Sequence, residues 1–159
     1  MIFFRETSIG KIGIAEKGAC ISHVYLPTDN VPQDIELNET PLIKQAFEQL
    51  ELYLSGQLKE FTVPLRPVGT TFMKSVWQKL LDVPYGQTAS YKDIAIAVEN
   101  PRGARAVGLA NNRNPIPIII PCHRIIGSNG DLVGYGAGLD MKIKLLSLEG
   151  YRGKGMDSF

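Results

Sequence analysis

Apolar and polar positions change their spacing repeatedly along this chain, and each change predicts an element. In Ile2-Phe3-Phe4, in Gly10 to Ala15 and in Ala19 to Leu26 they alternate, between Gly-containing turns such as Glu16-Lys17-Gly18. Alternation over runs this short predicts three strands of a small antiparallel sheet. Pro27 to Thr40 is rich in Pro, Asp and Asn and reads as a loop. Pro41 then opens a helix in which Ile43, Ala46, Phe47, Leu50, Tyr53 and Leu54 recur at helical spacing, ending before Gly56. Phe61 to Leu65 predicts one more strand, at a sheet edge because Pro64 has no donor.

Beyond Arg66-Pro67-Val68-Gly69-Thr70, a natural boundary, the period turns helical. Thr70 or Thr71 caps a helix whose face is Phe72, Val76, Leu80 and Trp77, ending by Pro84. Tyr85 to Ala89 reads as a turn. Ser90-Tyr91-Lys92-Asp93 is a capping-box pattern, opening a helix to Val98 that buries Ile94, Ala95 and Val98. Glu99 to Gly103 breaks it, and Ala104 to Asn111 forms a second short helix of small residues and arginine. Two short helices joined by a tight Pro/Gly turn suggest a helix-turn-helix, although an ordinary packed helix pair has the same pattern.

Pro115, Pro117 and Pro121 then restrict the backbone to extended chain, and Ile116 to Ile120 between them is too apolar to lie outside a core. The stretch reads as a rigid buried rod that ends on Cys122-His123-Arg124. After it, Ile125-Ile126 and Leu132-Val133 flank Gly127-Ser128-Asn129-Gly130-Asp131, which predicts a hairpin. Gly134-Tyr135-Gly136-Ala137-Gly138 is a tight connector or a mobile lid. Leu139 to Glu149 closes the fold as a helix ended by Gly150, and Tyr151 to Phe159 reads as a frayed tail.

Length and composition narrow the class. A chain of 159 residues, 44% hydrophobic, suits one ordinary domain or two small ones, here divided as 1–66 and 67–159. No apolar run approaches the ~20 residues that span a bilayer, and Met1-Ile2-Phe3-Phe4 runs directly into Arg5 and Glu6 without a secretory pattern. A cytoplasmic protein without membrane contact is expected. Cys20 and Cys122 are expected to be free thiols, and they offer no pair-of-pairs spacing for zinc, so no metal is expected. Cys20, between Ala19 and Ile21, reads as a buried inert thiol, and His23 as a structural histidine. Residues 1–66 hold six Lys/Arg against nine Asp/Glu, a net −3, whereas residues 67–159 hold eleven against seven, a net +4. Arg102 to Arg113 carries three arginines and no acid, which points to a polyanion partner for the second half.

The chemistry concentrates at Cys122 and His123. An imidazole can take a thiol proton, and the thiolate is the reactive form. Neighbours on a strand face opposite ways, so direct contact requires a bend after Pro121 or a bridging water. A cysteine hydrolase also needs a third group to orient the histidine, which spacing cannot supply.

Asn114 to Ile126, preceded by Arg105-Ala106-Val107-Gly108, resembles the active-site signature of the O6-alkylguanine-DNA alkyltransferases, also called methylated-DNA–protein-cysteine methyltransferases. The resemblance covers Phe72 to Gly150, including Pro84-Tyr85-Gly86 and Ser90-Tyr91; over residues 1–66 only the element pattern is compatible. It implies a small ribonuclease-H-like α/β amino-terminal domain, then a mostly helical domain with winged-helix, helix-turn-helix character that carries the active site. It implies that Cys122 accepts the alkyl group, that His123 deprotonates it through water and that Glu149 orients His123. Tyr91 would donate to the leaving guanine, and Asn114 would order the turn around Cys122. Arg105 would fill the gap left by a flipped base. The DNA- and substrate-facing set it implies is completed by Ala106, Gly108, Ala110, Asn111, Arg113 and Ser90, with Tyr135 and Gly136 walling the base pocket. The partner implied is double-stranded DNA containing alkylated bases, acted on by a monomer without cofactor, in the cytoplasm, or in the nucleus of a eukaryote.

Two positions depart from the family pattern. Asn112 stands where glycine is common, and a left-handed Asn at the helix end is expected to preserve the geometry. Ala137 replaces a glycine more usual in the lid, which is expected to narrow or stiffen the pocket. The competing readings are a non-catalytic lesion-binding helix-turn-helix protein, which does not need Cys122, and a cysteine hydrolase, which leaves the arginine-rich helix unexplained.

Overall fold

The computed structural model describes residues 1–156. The chain folds as two compact units: Met1–Val68 with Pro115–Ile119, and Gly69–Asn114 with the chain from Ile120 onward.

In the first unit β1 (Ile2–Thr7), β2 (Gly10–Lys17) and β3 (Cys20–Tyr25) form an antiparallel sheet in sequence order. Helix α1 (Pro41–Leu54) packs on it. Thr40 caps α1 by accepting from the Ile43 amide at 3.1 Å, and Pro41 occupies the first turn, where no donor is needed. The helix buries Ile43, Ala46, Phe47, Leu50 and Tyr53, one stripe at helical spacing. Burying Phe47 alone contributes about 2 to 3 kcal/mol. Gly13 pairs with Phe4 and lies under its ring, where a Cβ would stand 2.7 Å from Phe4 Cε1, so any larger residue would have to displace that ring. The three strands, the loop and the helix expected from the pattern are all present. Phe61 to Leu65 is not a strand: pairing shrinks to a single bridge, with the Ile21 amide donating to Pro64 O at 2.8 Å and the Arg66 amide to Ile21 O at 2.9 Å. Proline in the run interrupts the ladder. Cys20 is partly exposed rather than buried, and His23 stacks on Tyr25 with ring centroids 5.4 Å apart.

The second unit is helical. Thr70 caps α2 (Thr71–Leu80) through the Met73 amide, and Ser90 and Asp93 form a reciprocal capping box on α3 (Tyr91–Ala97). After Glu99, at φ +61°, the chain turns into α4 (Ala104–Asn112), which packs on both α2 and α3. Trp77 is 1% exposed, and its indole N–H donates to Ala110 O at 2.8 Å, so α2 holds the last turn of α4. Strands β4 (Ala89–Ser90) and β5 (Ile125–Ile126) pair in parallel, and α5 (Leu139–Leu148) completes the unit.

Three expectations fail here for backbone reasons. Ile116 to Ile120 is buried as expected but is no rod: the Ile119 amide turns back to Pro117 O at 2.9 Å, and Ile118 sits at φ +73°. A β-branched residue there is strained, so surrounding packing must hold it. The hairpin is replaced by a closed turn in which the Gly127 amide donates to Asp131 O at 2.8 Å, and Ile125-Ile126 pairs with β4 instead of Leu132-Val133. Asn112 is helical, and Arg113 ends α4 at φ −99°, so no left-handed residue is used. The tail is ordered where described, since Met156 is 3% exposed and packs with Ile143 and Leu146; residues 157–159 lie outside the described residues.

Candidate active site

Pro121 (ψ 65°) starts a tight 3-10 turn over Cys122–Arg124, closed by Arg124 N donating to Pro121 O at 3.0 Å. This supplies the bend that a strand lacks, and it places Cys122 and His123 in one turn. Both are buried, at 4% and 0% exposure.

The histidine is organised by Glu149, the residue that caps α5. His123 Nε2 lies 2.7 Å from one carboxylate oxygen, and Arg124 donates through Nε at 2.9 Å and Nη2 at 3.0 Å. The Gly86 amide adds a fourth contact at 3.1 Å. Arg124 also donates to Val83 O at 2.8 Å, with its guanidinium 5.8 Å from the centre of the Tyr85 ring. A buried carboxylate is tolerable only when satisfied to this degree. Burial holds the His123 pKa below its ordinary value, against the opposing pull of Glu149. The neutral ring then carries its proton on Nε2, facing the carboxylate, and Nδ1 is the basic atom.

Burial likewise pushes the Cys122 thiol above its usual range; hydrogen bonds from the Asn114 and Tyr135 side chains and the charge of Lys142 partly offset this. A thiol held protonated needs a base at the moment of reaction. Lys142 is 0% exposed, with Nζ donating to Val133 O at 2.9 Å and to Ile125 O, and burial lowers its pKa to about 8. No motif marks Lys142. The one signal available is a lysine at a core-facing helical position, three and four residues before Leu145 and Leu146. Arg124 and Gly86 lie within the stretches that carry the family resemblance, but nothing in the sequence marks them as partners of Glu149.

The end of α4 supports the turn. Asn111 Nδ2 donates to Cys122 O at 3.3 Å, and Asn114 Nδ2 donates to Ile120 O at 2.8 Å. Tyr91 opens α3, and its hydroxyl donates to Val133 O at 2.9 Å, with Gly134 O at 3.2 Å. Tyr135 reaches the thiol from the same segment, so residues 133–135 run beside Cys122, where a lid is expected. Arg105, Ala106, Arg113 and Gly136 are exposed, and Gly108 faces the Tyr91 ring, where a Cβ would stand 3.7 Å away. Ser90 spends its oxygen on the α3 cap. Ala110 and Asn111, expected on the DNA side, turn inward at 1% and 2% exposure. With α4 packed on α2 and α3, its inner stripe is core, and Asn111 serves the Cys122 turn instead.

Fold and site together define a class: a helix-turn-helix protein that holds one buried thiol beside an oriented histidine. Family models match both parts of the chain, the ribonuclease-like domain of 6-O-methylguanine DNA methyltransferase over residues 3–67 and its DNA-binding domain over residues 71–151. The chain is 59% identical over 148 residues to the methylated-DNA–protein-cysteine methyltransferase of Methanosarcina barkeri, covering 91% of this chain and 93% of that protein. It is 43% identical over 151 residues to the constitutive methylated-DNA–protein-cysteine methyltransferase of Bacillus subtilis, covering 91% and 92%. The Mycobacterium tuberculosis OGT solved in complex with DNA superimposes with a TM-score of 0.87 at 41% identity, over 93% of this chain and 91% of that one. The chain belongs to the 6-O-methylguanine DNA methyltransferase family.

Proposed function

We propose that this protein repairs DNA by direct reversal, moving the alkyl group of O6-alkylguanine, and of O4-alkylthymine where it occurs, to the sulfur of Cys122. The observation that carries the reading is the Cys122–His123–Glu149 arrangement, braced by Asn111 from α4 and by Asn114 just beyond it. Residues 1–66 act as a supporting domain and residues 67–159 carry DNA binding and chemistry. Arg105, Ala106 and Arg113 face the duplex, and Arg105 fills the space of the extruded nucleotide. His123 takes the thiol proton through a water, and Glu149 stabilises the imidazolium that forms. The thiolate attacks the carbon attached to O6; the S–C bond forms as the C–O bond breaks. Tyr91 leaves its lid carbonyls to donate to the departing guanine, and the proton held by His123 returns to the base. The product is a thioether with no easy hydrolytic route, so each molecule acts once. The protein works as a monomer in the cytoplasm, or in the nucleus of a eukaryote, without a cofactor. A lesion binder that performs no transfer has no use for a thiol supported in this way.

The test is incubation with duplex DNA containing labelled O6-methylguanine, followed by mass spectrometry of the protein. One methyl equivalent on Cys122 is expected. Cys122→Ala should lose all transfer and keep its DNA affinity. Label on Cys20, or DNA binding by the wild type without any adduct, overturns the assignment.

A further inference from the structure

The segment after α5 has no place in the chemistry above, yet it is built into the site's surroundings. Gly150, at φ +87°, turns the chain out of the helix, and the Tyr151 amide bonds back to Leu146 O at 3.0 Å. The segment then runs over the turn that precedes the lid. Lys154 Nζ pairs with Asp131 at 2.6 Å. Gly155 lies against Leu132, so close that a Cβ there would stand 3.0 Å from Leu132 Cδ1. Met156 is buried with Ile143 and Leu146, and Leu132 and Tyr151 pack on the same cluster.

Leu132 is the root of the lid. The next carbonyl, Val133 O, is held by both Tyr91 and Lys142, and two residues on Tyr135 reaches the thiol. Glycines at 134, 136 and 138 leave the lid able to bend, so its height over Cys122 depends on how firmly its root is fixed. We infer that Tyr151–Met156 is a clamp on the lid, and that Met156 and Lys154 thereby set how large an alkyl group the site admits. On this inference the extra bulk of a benzyl group over methyl is accommodated only by shifting the lid at Leu132, which packs on Met156 and Gly155 beside the Lys154–Asp131 pair. The inference rests on the alkyltransferase reading, and both residues act by positioning, since neither touches the reacting atoms.

Single-turnover rates on duplexes carrying O6-methylguanine or O6-benzylguanine test it. Met156→Ala is expected to raise the benzyl-to-methyl rate ratio about tenfold, the size of discrimination that one pocket methylene provides. Lys154→Glu, at the surface, should raise it about threefold, as befits an exposed ion pair. Adding Asp131→Lys to Lys154→Glu should bring the ratio back to the wild-type value. Should Met156→Ala fold poorly, the two charge variants decide alone. A ratio unchanged in the folded variants, or both rates falling in equal proportion, overturns the clamp while leaving the alkyltransferase standing. A wild-type protein that transfers neither group overturns the reading beneath it.

Discussion

The two compact units bury their residues on opposite principles. The first closes over aliphatic and aromatic side chains, and Ser22 is the buried polar residue it contributes among those described. The second buries Asn111, His123, Arg124, Lys142 and Glu149 within a similar length of chain. Apolar burial is tolerant, because any group of suitable volume retains most of the transfer energy. Ionic burial is not: each partner is acceptable only while the others remain, and removing one leaves a charge in a medium that cannot solvate it. The first unit is therefore built for stability. The second gives up stability to hold a base, a thiol and a lysine away from water.

The sharpest way to break this contrast is to truncate one residue on each side. Glu149→Ala strands Arg124 and His123 together and should cost about 3 to 5 kcal/mol, with transfer per folded molecule abolished. Phe47→Ala should cost a similar amount, about 3 to 5 kcal/mol, while leaving transfer per folded molecule unchanged. Denaturant melts read the first quantity and stoichiometric methyl transfer the second. Equal loss of transfer in both variants would dissolve the distinction.

A smaller effect appears in the pH dependence of stability. Lys142 titrates near 8 when folded, against 10.5 for an ordinary lysine. Between those values the unfolded chain holds the extra proton, so Lys142 makes stability rise with pH across that window, by at most about 3 kcal/mol. In Lys142→Met that contribution should vanish, leaving a flatter curve in chemical denaturation between the two pH values. An identical slope in wild type and variant would show that the lysine is solvated.

The smallest stability change is expected at Asn111. Its Nδ2 makes one long bond to Cys122 O, and its Oδ1 is buried without a partner among the described residues. Asn111→Met removes an imperfectly satisfied amide, so stability should move by less than about 1 kcal/mol. The methyl-transfer rate should nevertheless fall about tenfold, because the Cys122 turn loses its tie to α4; DNA affinity should not change. A rate within about twofold of wild type would reduce Asn111 to packing.

Much of this architecture can be read from local pattern. Alternation marks β1 to β3, Thr40, Thr70 and Ser90 announce their helices, and the amphipathic stripe of α1 names its own buried residues. Cys122 and His123 stand out at the end of an apolar run, and the family resemblance points to Glu149, Asn114 and Tyr135. Each of these signals lies within a few residues or in one recognisable motif. Local pattern misleads where a segment's partner lies far along the chain. Ile125-Ile126 has a good hairpin turn beside it and pairs with Ala89-Ser90 instead. Ala110 and Asn111 have the composition of a DNA face and turn inward, because the indole of Trp77 and the backbone of Cys122 receive them.

Capping, periodicity and dipeptide chemistry act over short distances, so most elements, and Cys122 and His123 as the candidate nucleophile and base, are legible in the amino-acid order together with the family resemblance. What those groups can do depends on the folded arrangement. Four donors from two separate stretches, Gly86 and His123-Arg124, converge on Glu149, a lysine is driven into the core beside the lid, and the final described residues fold back over the lid's root. Burial, charge and proton affinity follow from neighbours in space, which sequence spacing does not record.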